Sequence, residues 1–220
     1  MNQVETPSYQ EGLKNLRENL ASMLPPAALN VFDTDAAALQ ENYPSVLKRG
    51  VGDKAPDFTL SNATGQPVHL YEVLKEHRVV LTFYRGTWCP YCNLQLAQYQ
   101  QVLVDLQKAR ATLIAISPQT PDESLNIKEK NELQFEVLSD NGNLVARQYT
   151  TIFQYGEQPL ATMAELGYDY DSFYADDSRE LPIPATFIIE QDGTISFAQS
   201  EGGDYRNRVE AASIIKSLNQ

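Results

Sequence analysis

The chain is poor in the side chains that hold metals and staple small folds. It has two cysteines and two histidines in 220 residues. A structural zinc site takes four ligands, mostly cysteine and histidine. His69 and His77 stand eight apart, outside the usual ligand spacings. No metal site is therefore expected, and no cofactor is implied. Basic charge is scarce as well: 17 Lys and Arg against 29 Asp and Glu leave a net charge of −12. That balance repels a phosphate backbone and anionic lipid, so neither nucleic acid nor a membrane surface is an expected partner. Long apolar runs are missing too. Nowhere do about eighteen apolar residues follow one another, as a spanning helix needs, and residues 1–20 contain no apolar run of signal-peptide type. The expectation is a soluble cytoplasmic protein whose thiols are kept reduced.

What is present is enough for a packed core. The chain is 42% apolar, and this length buries a core without disulfides. Leu13, Leu16, Leu20, Met23 and Leu24 fall on one helical stripe. Pro25-Pro26 stops that helix, and Asp33-Thr34-Asp35 is read as the start of a second, short one ending before Pro44. Residues 1–50 thus form a helical extension, packed on the main domain or on a second copy of the chain as a homodimer. The main domain, 51–220, alternates strands and helices. "RVVLTFY" (78–84) and "ATLIAIS" (111–117) are continuous apolar runs, as strands buried on both faces are. Residues 93–108 have helical spacing. Thr120, Pro121 and Glu123 read as a capping box. "FEVLSD" (135–140) is a strand and "NLVARQY" (143–149) a helix. A hairpin turns at Asp192-Gly193, and residues 206–219 read as a closing amphipathic helix. The fold class is α/β, a central sheet flanked by helices. Residues 151–183, aromatic and acidic, break the rhythm as an insert.

Both cysteines stand together in "TWCPYC", after a buried strand. The pattern strand, turn, helix makes Cys89 the N-cap, with Pro90 at the first helical position and Cys92 one turn along. Free N–H groups and the positive helix end favour a thiolate there. A spacing of three at a helix start also allows a disulfide. Arg85 adds positive charge. Cys89, nearer the helix end and expected to be exposed, is the favoured attacking sulfur, with Cys92 resolving. Pro184, ahead of the apolar "ATFII", is a strand-entry proline or a cis proline facing the cysteines.

The segments "VGDKAPDFTLSNATGQPVHL", "FYRGTWCPYCNLQL", "IAISPQTPDES", "FEVLSDNGNLVARQY" and "PIPATFIIEQDG" resemble, in order, the alkyl hydroperoxide reductase / thiol-specific antioxidant (peroxiredoxin-like) family of the thioredoxin superfamily. The resemblance implies a thioredoxin-like fold and thiol-based reduction of peroxides, with electrons returned by thioredoxin or another dithiol donor. It places Cys92 at the family's peroxidatic cysteine, against the reading from helix geometry. Cys89 then takes the place of the family's Thr and Arg85 that of its Pro, while Pro184 stands where the family carries an arginine.

Taken together, the sequence predicts a thiol peroxidase acting on hydrogen peroxide or organic hydroperoxides through a Cys89–Cys92 dithiol/disulfide cycle. Arg85 is expected to stabilise the thiolate, Thr87 and Trp88 to shape the pocket rim, and Pro184 to lie against the disulfide. A protein disulfide oxidoreductase without peroxidase activity explains the missing Thr and Arg. A redox-responsive binding protein would use the extension and the aromatic insert (Tyr155, Tyr168, Tyr170, Phe173, Tyr174).

Overall fold

The structure, a computed structural model, describes residues 6–220. The first five residues of the extension, and of the stretch read for a signal peptide, lie outside the described residues.

The chain opens with helix α1, Tyr9–Met23, capped by the Ser8 hydroxyl, and α2, Pro26–Asn42. The expectation that α2 begins at Asp33 is corrected. Pro25 ends the linker and Pro26 occupies the first helical position, where a missing N–H costs nothing. Asp33 and Asp35 therefore sit mid-helix and are used in tertiary contacts. The domain follows as β1 (Thr59–Asn62), β2 (Pro67–His69), α3 (Leu70–Leu74), β3 (Arg78–Phe83), α4 (Pro90–Gln101), α5 (Leu103–Lys108) and β4 (Ala111–Ser117). Then come α6 (Pro121–Lys130), β5 (Glu136–Ser139), α7 (Ala146–Tyr149), β6 (Ile152–Gln154), α8 (Glu157–Glu165), β7 (Glu180–Pro182), β8 (Ala185–Ile189), β9 (Ile195–Gln199) and α9 (Ala211–Leu218).

Seven strands form one mixed sheet in the order β2-β1-β5-β4-β3-β8-β9. β3, β4 and β5 are parallel, and the outer strands pair antiparallel. β3 is the hub. Its alternate side chains feed two cores: Val80 packs with α4 and the extension, while Val79, Leu81 and Phe83 pack with α3 and α7. A strand with helices on both faces needs such a run of apolar residues.

Three boundaries differ from the periodicity. The helix expected over 93–108 breaks at Val102, which leaves helical geometry (φ −99°, ψ 6°). Thr120 caps α6 by position only. Its side chain makes no capping bond, because Glu123 turns to Thr87 instead. The closing helix starts at Ala211, since residues 204–210 form a loop tied to the extension and to the cysteines. The 151–183 insert is more regular than its pattern: β6 and β7 pair as a small antiparallel sheet around α8.

The extension packs on the domain of its own chain. The Glu210 carboxylate accepts hydrogen bonds from the Tyr9 and Gln10 amides at the start of α1 (2.7 and 3.1 Å). An anion there satisfies orphan N–H groups and the helix dipole. The Tyr9 hydroxyl donates to the Arg206 carbonyl (2.7 Å). Arg206 reaches Asp33 of α2 at 2.6 Å, and Asp33 also pairs with Arg17 of α1 at 3.0 Å.

Candidate active site

The site is built on the turn between β3 and α4. Cys89 is the N-cap, Pro90 the first helical residue, and Cys92 one turn along. Asn93 fastens this turn, its amide donating to the carbonyls of Thr87 (2.7 Å) and Cys89 (2.9 Å). Gly86 is required by close packing. A Cβ there would stand 2.7 Å from Trp88 Nε1 and 3.0 Å from Gln119 Cδ.

Both cysteines are free thiols with no exposed surface. The expected exposure of Cys89 is thus corrected: the extension and the insert close over the helix end. Each sulfur faces a guanidinium from a distant segment. Arg208 Nη2 lies 3.3 Å from Cys92 Sγ and 4.0 Å from Cys89 Sγ. The other terminal nitrogen of Arg208 donates to the Tyr205 and Asn207 carbonyls, which fixes its direction. Arg85 is also buried. Its guanidinium sits in an aromatic cage, 3.7 Å from the Tyr205 ring centre, 4.7 Å from Trp88 and 4.8 Å from Tyr155. Its Nε and Nη2 have no hydrogen-bond partner.

The electrostatics separate the two sulfurs. Burial opposes ionisation of Cys92, but the hydrogen bond from Cys89 and the charges of Arg208 and Arg85 outweigh it. The Cys92 thiol is held well below the ordinary cysteine range. Burial, followed by the neighbouring Cys92, pushes the Cys89 thiol well above that range. Two touching sulfurs cannot both ionise, and the one nearer Arg208 takes the charge.

A cavity of about 490 Å³ opens beside the turn, with Arg85, Trp88, Cys89 and Tyr205 in its wall. Cys92 is not in that wall and sits behind Cys89. The structure therefore brings Cys89, Cys92, Arg85 and Trp88 together, and two expected residues are placed elsewhere. Thr87 does not shape the rim: its amide donates to Gln119 Oε1 (2.7 Å) and its hydroxyl to Glu123 (3.2 Å), so it ties the turn to the segment after β4. Pro184 is trans, since no peptide among the described residues is cis, and it does not line the cavity. Its carbonyl accepts from Ser200 at the head of β8.

Sequence reasoning missed Arg208. It lies 116 residues from Cys92, inside a stretch read as an amphipathic helix, where an arginine looks like solvated surface. It also missed that the insert caps the site. Trp88 Nε1 donates to the Tyr174 hydroxyl (2.8 Å), which donates to the Arg85 carbonyl (3.1 Å). No signal in spacing alone marks either contact. Among the described residues no group of three or more His, Cys, Asp or Glu is placed to hold a metal ion, and no helix is long and apolar enough to cross a membrane.

A thiol held ionised beside a second thiol on a thioredoxin-like sheet matches known proteins. The sequence profile of the AhpC/TSA family matches residues 51–198. The chain belongs to the AhpC/TSA family. It is accordingly an oxidoreductase. Among AhpC/TSA relatives, Peroxiredoxin Bcp of Escherichia coli is 28% identical over 144 residues, covering 66% of this chain and 81% of its own. The Mycobacterium tuberculosis peroxidoxin BcpB structure superposes with a TM-score of 0.61 at 21% identity, over 77% of this chain and 96% of that one. Peroxiredoxin Q of Xanthomonas campestris gives 0.55 at 17% identity, over 74% and 89%. These likenesses confirm the thioredoxin-like fold of the AhpC/TSA domain. They leave α1 and α2 outside the family match, although both pack on the site.

Proposed function

We propose that the chain is a thiol peroxidase in which Cys92 attacks and Cys89 resolves, the reverse of the order helix geometry alone favours. The observation that carries this reading is the 3.3 Å contact of Arg208 with Cys92 Sγ. It leaves Cys92 as the ionised nucleophile and Cys89 as a protonated partner. The resemblance of "TWCPYC" to the family motif supports the same order.

The Cys92 thiolate attacks the terminal oxygen of a hydroperoxide. An S–O bond forms, the O–O bond breaks, and the alkoxide leaves, taking a proton from water to become the alcohol. Cys92 is now a sulfenic acid. Cys89 then attacks that sulfur. The S–S bond forms, and the hydroxyl leaves as water with the Cys89 proton. Arg208 and Arg85 offset the negative charge that moves from sulfur to the leaving oxygen. Cys89, in the cavity wall, is the sulfur an external dithiol reaches. Two exchange steps with thioredoxin or a similar donor restore both thiols and oxidise the donor. A reducing cytoplasm suits such a cycle.

A second reading, protein disulfide exchange without peroxide, is favoured by the same placement of Cys89 in the cavity wall. The test is peroxide-dependent NADPH oxidation with thioredoxin and its reductase, alongside insulin reduction, for the wild type, Cys89→Ser and Cys92→Ser. Peroxidase turnover, with a sulfenic acid trapped in Cys89→Ser and none in Cys92→Ser, is the expected result. Insulin reduction with no peroxide turnover selects the second reading.

A further inference from the structure

The cavity beside Cys89 is far larger than hydrogen peroxide requires. Its volume of about 490 Å³ corresponds to roughly sixteen waters at ~30 Å³ each. Its outer walls are hydrocarbon: Leu16 and Leu20 of α1, Phe32 of α2, Leu94 of α4, and Met163 and Leu166 at α8. Water in such a space finds few partners, so an apolar occupant is favoured. Asp33 also borders the cavity, but its carboxylate is neutralised by Arg17 and Arg206. The polar groups gather at the base, where Cys89 and the partnerless nitrogens of Arg85 lie. An occupant with an apolar body and one polar, reactive end fits this gradient.

The extension supplies much of the hydrocarbon wall. The family match begins at residue 51, so α1 and α2 add a surface the matched domain lacks. We propose that the cavity binds the chain of a long, unbranched aliphatic hydroperoxide, and that α1, α2 and α8 select it over hydrogen peroxide. The proposal rests on the peroxidase reading above. It uses the same O–O cleavage, with the alcohol product keeping the chain and hence its affinity for the cavity.

Trp88 is the one tryptophan of the chain and stands in the cavity wall, so its emission reports occupancy without any turnover. The experiment titrates 1-decanol against Trp88 fluorescence and compares kcat/KM for decyl hydroperoxide and hydrogen peroxide. Both are repeated in Ala97→Phe, which fills the cavity, and in Leu20→Gln, which makes its wall polar. Expected are saturable decanol binding and a preference for the decyl substrate. That preference should fall at least about tenfold in both variants, since even one methylene in an apolar pocket is worth about that much. A linear decanol response, or an unchanged preference in folded variants, overturns the proposal. So does a loss confined to re-reduction by the donor, which would make the cavity a donor-docking site. Turnover of no peroxide at all overturns the reaction assigned above, and the decanol titration then still decides whether the cavity takes an apolar chain.

Discussion

Arg208 and Cys92, 116 residues apart in the chain, meet at 3.3 Å inside the core. The guanidinium approaches from the loop before α9, on the side where the family motif offers no arginine. Pro184 holds the position at which an arginine is expected, and the charge comes from the other end of the domain. A buried cation with one anionic neighbour makes the state of that sulfur consequential, because removing either partner strands the other.

Replacing Arg208 tests this directly. In Arg208→Met the Cys92 thiol should titrate higher, and kcat/KM for peroxide should fall by about 10²-fold, as for one lost electrostatic donor. Arg208→Lys should recover part of both. Alkylation by iodoacetamide as a function of pH reads the titration. An unchanged profile in Arg208→Met would remove the arginine from the site.

The Cys89 thiol is the next lever, since its hydrogen bond helps hold Cys92 ionised. In Cys89→Ala the Cys92 titration should shift upward, while Cys89→Ser, which keeps a donor, should shift it less. Equal shifts in the two variants would show that the bond contributes nothing.

Stability should follow the same ionisation. Cys92 titrates lower in the folded chain than in the unfolded one. Its contribution is therefore fully present above the unfolded value and is lost as pH falls through the folded value. Urea unfolding of the reduced protein across that range should show this loss, and Cys92→Ser should abolish that part of the pH dependence.

Gly86→Ala should loosen the turn. Its Cβ would meet Trp88 Nε1 at 2.7 Å, so the bond from Trp88 to Tyr174 must break or the turn must shift. A cost of about 1–3 kcal/mol is expected, read as a lower urea midpoint together with changed Trp88 emission.

The Glu210 clamp on α1 can be opened without touching the sulfurs. Glu210→Ala removes the acceptor of two helix-start amides and should cost about 1 kcal/mol, as loss of a cap does. Amide exchange across α1 should quicken. If exchange in α1 stays unchanged, the extension is held by its apolar face alone.

The local parts of this protein are written in its sequence. Apolar runs at 78–84 and 111–117 specify strands buried on both faces. Asp192-Gly193 specifies a hairpin, and Cys-Pro-x-Cys after a strand specifies a thiol at a helix start. Each rests on backbone propensity or on side chains a few residues apart, so a linear reading reaches it. The start of α2 is also local, but the two prolines admit both a stop and a start, and only the folded chain shows both at once. What the tertiary structure alone decided is which sulfur carries charge and what surrounds it. Arg208, Tyr174 and Tyr205 arrive from segments whose sequence reads as helix surface or irregular insert. Burial of both thiols depends on α1 and α2 closing over the helix end. Electrostatics depend on distance through space, and contacts across about a hundred residues leave no period or spacing in the chain.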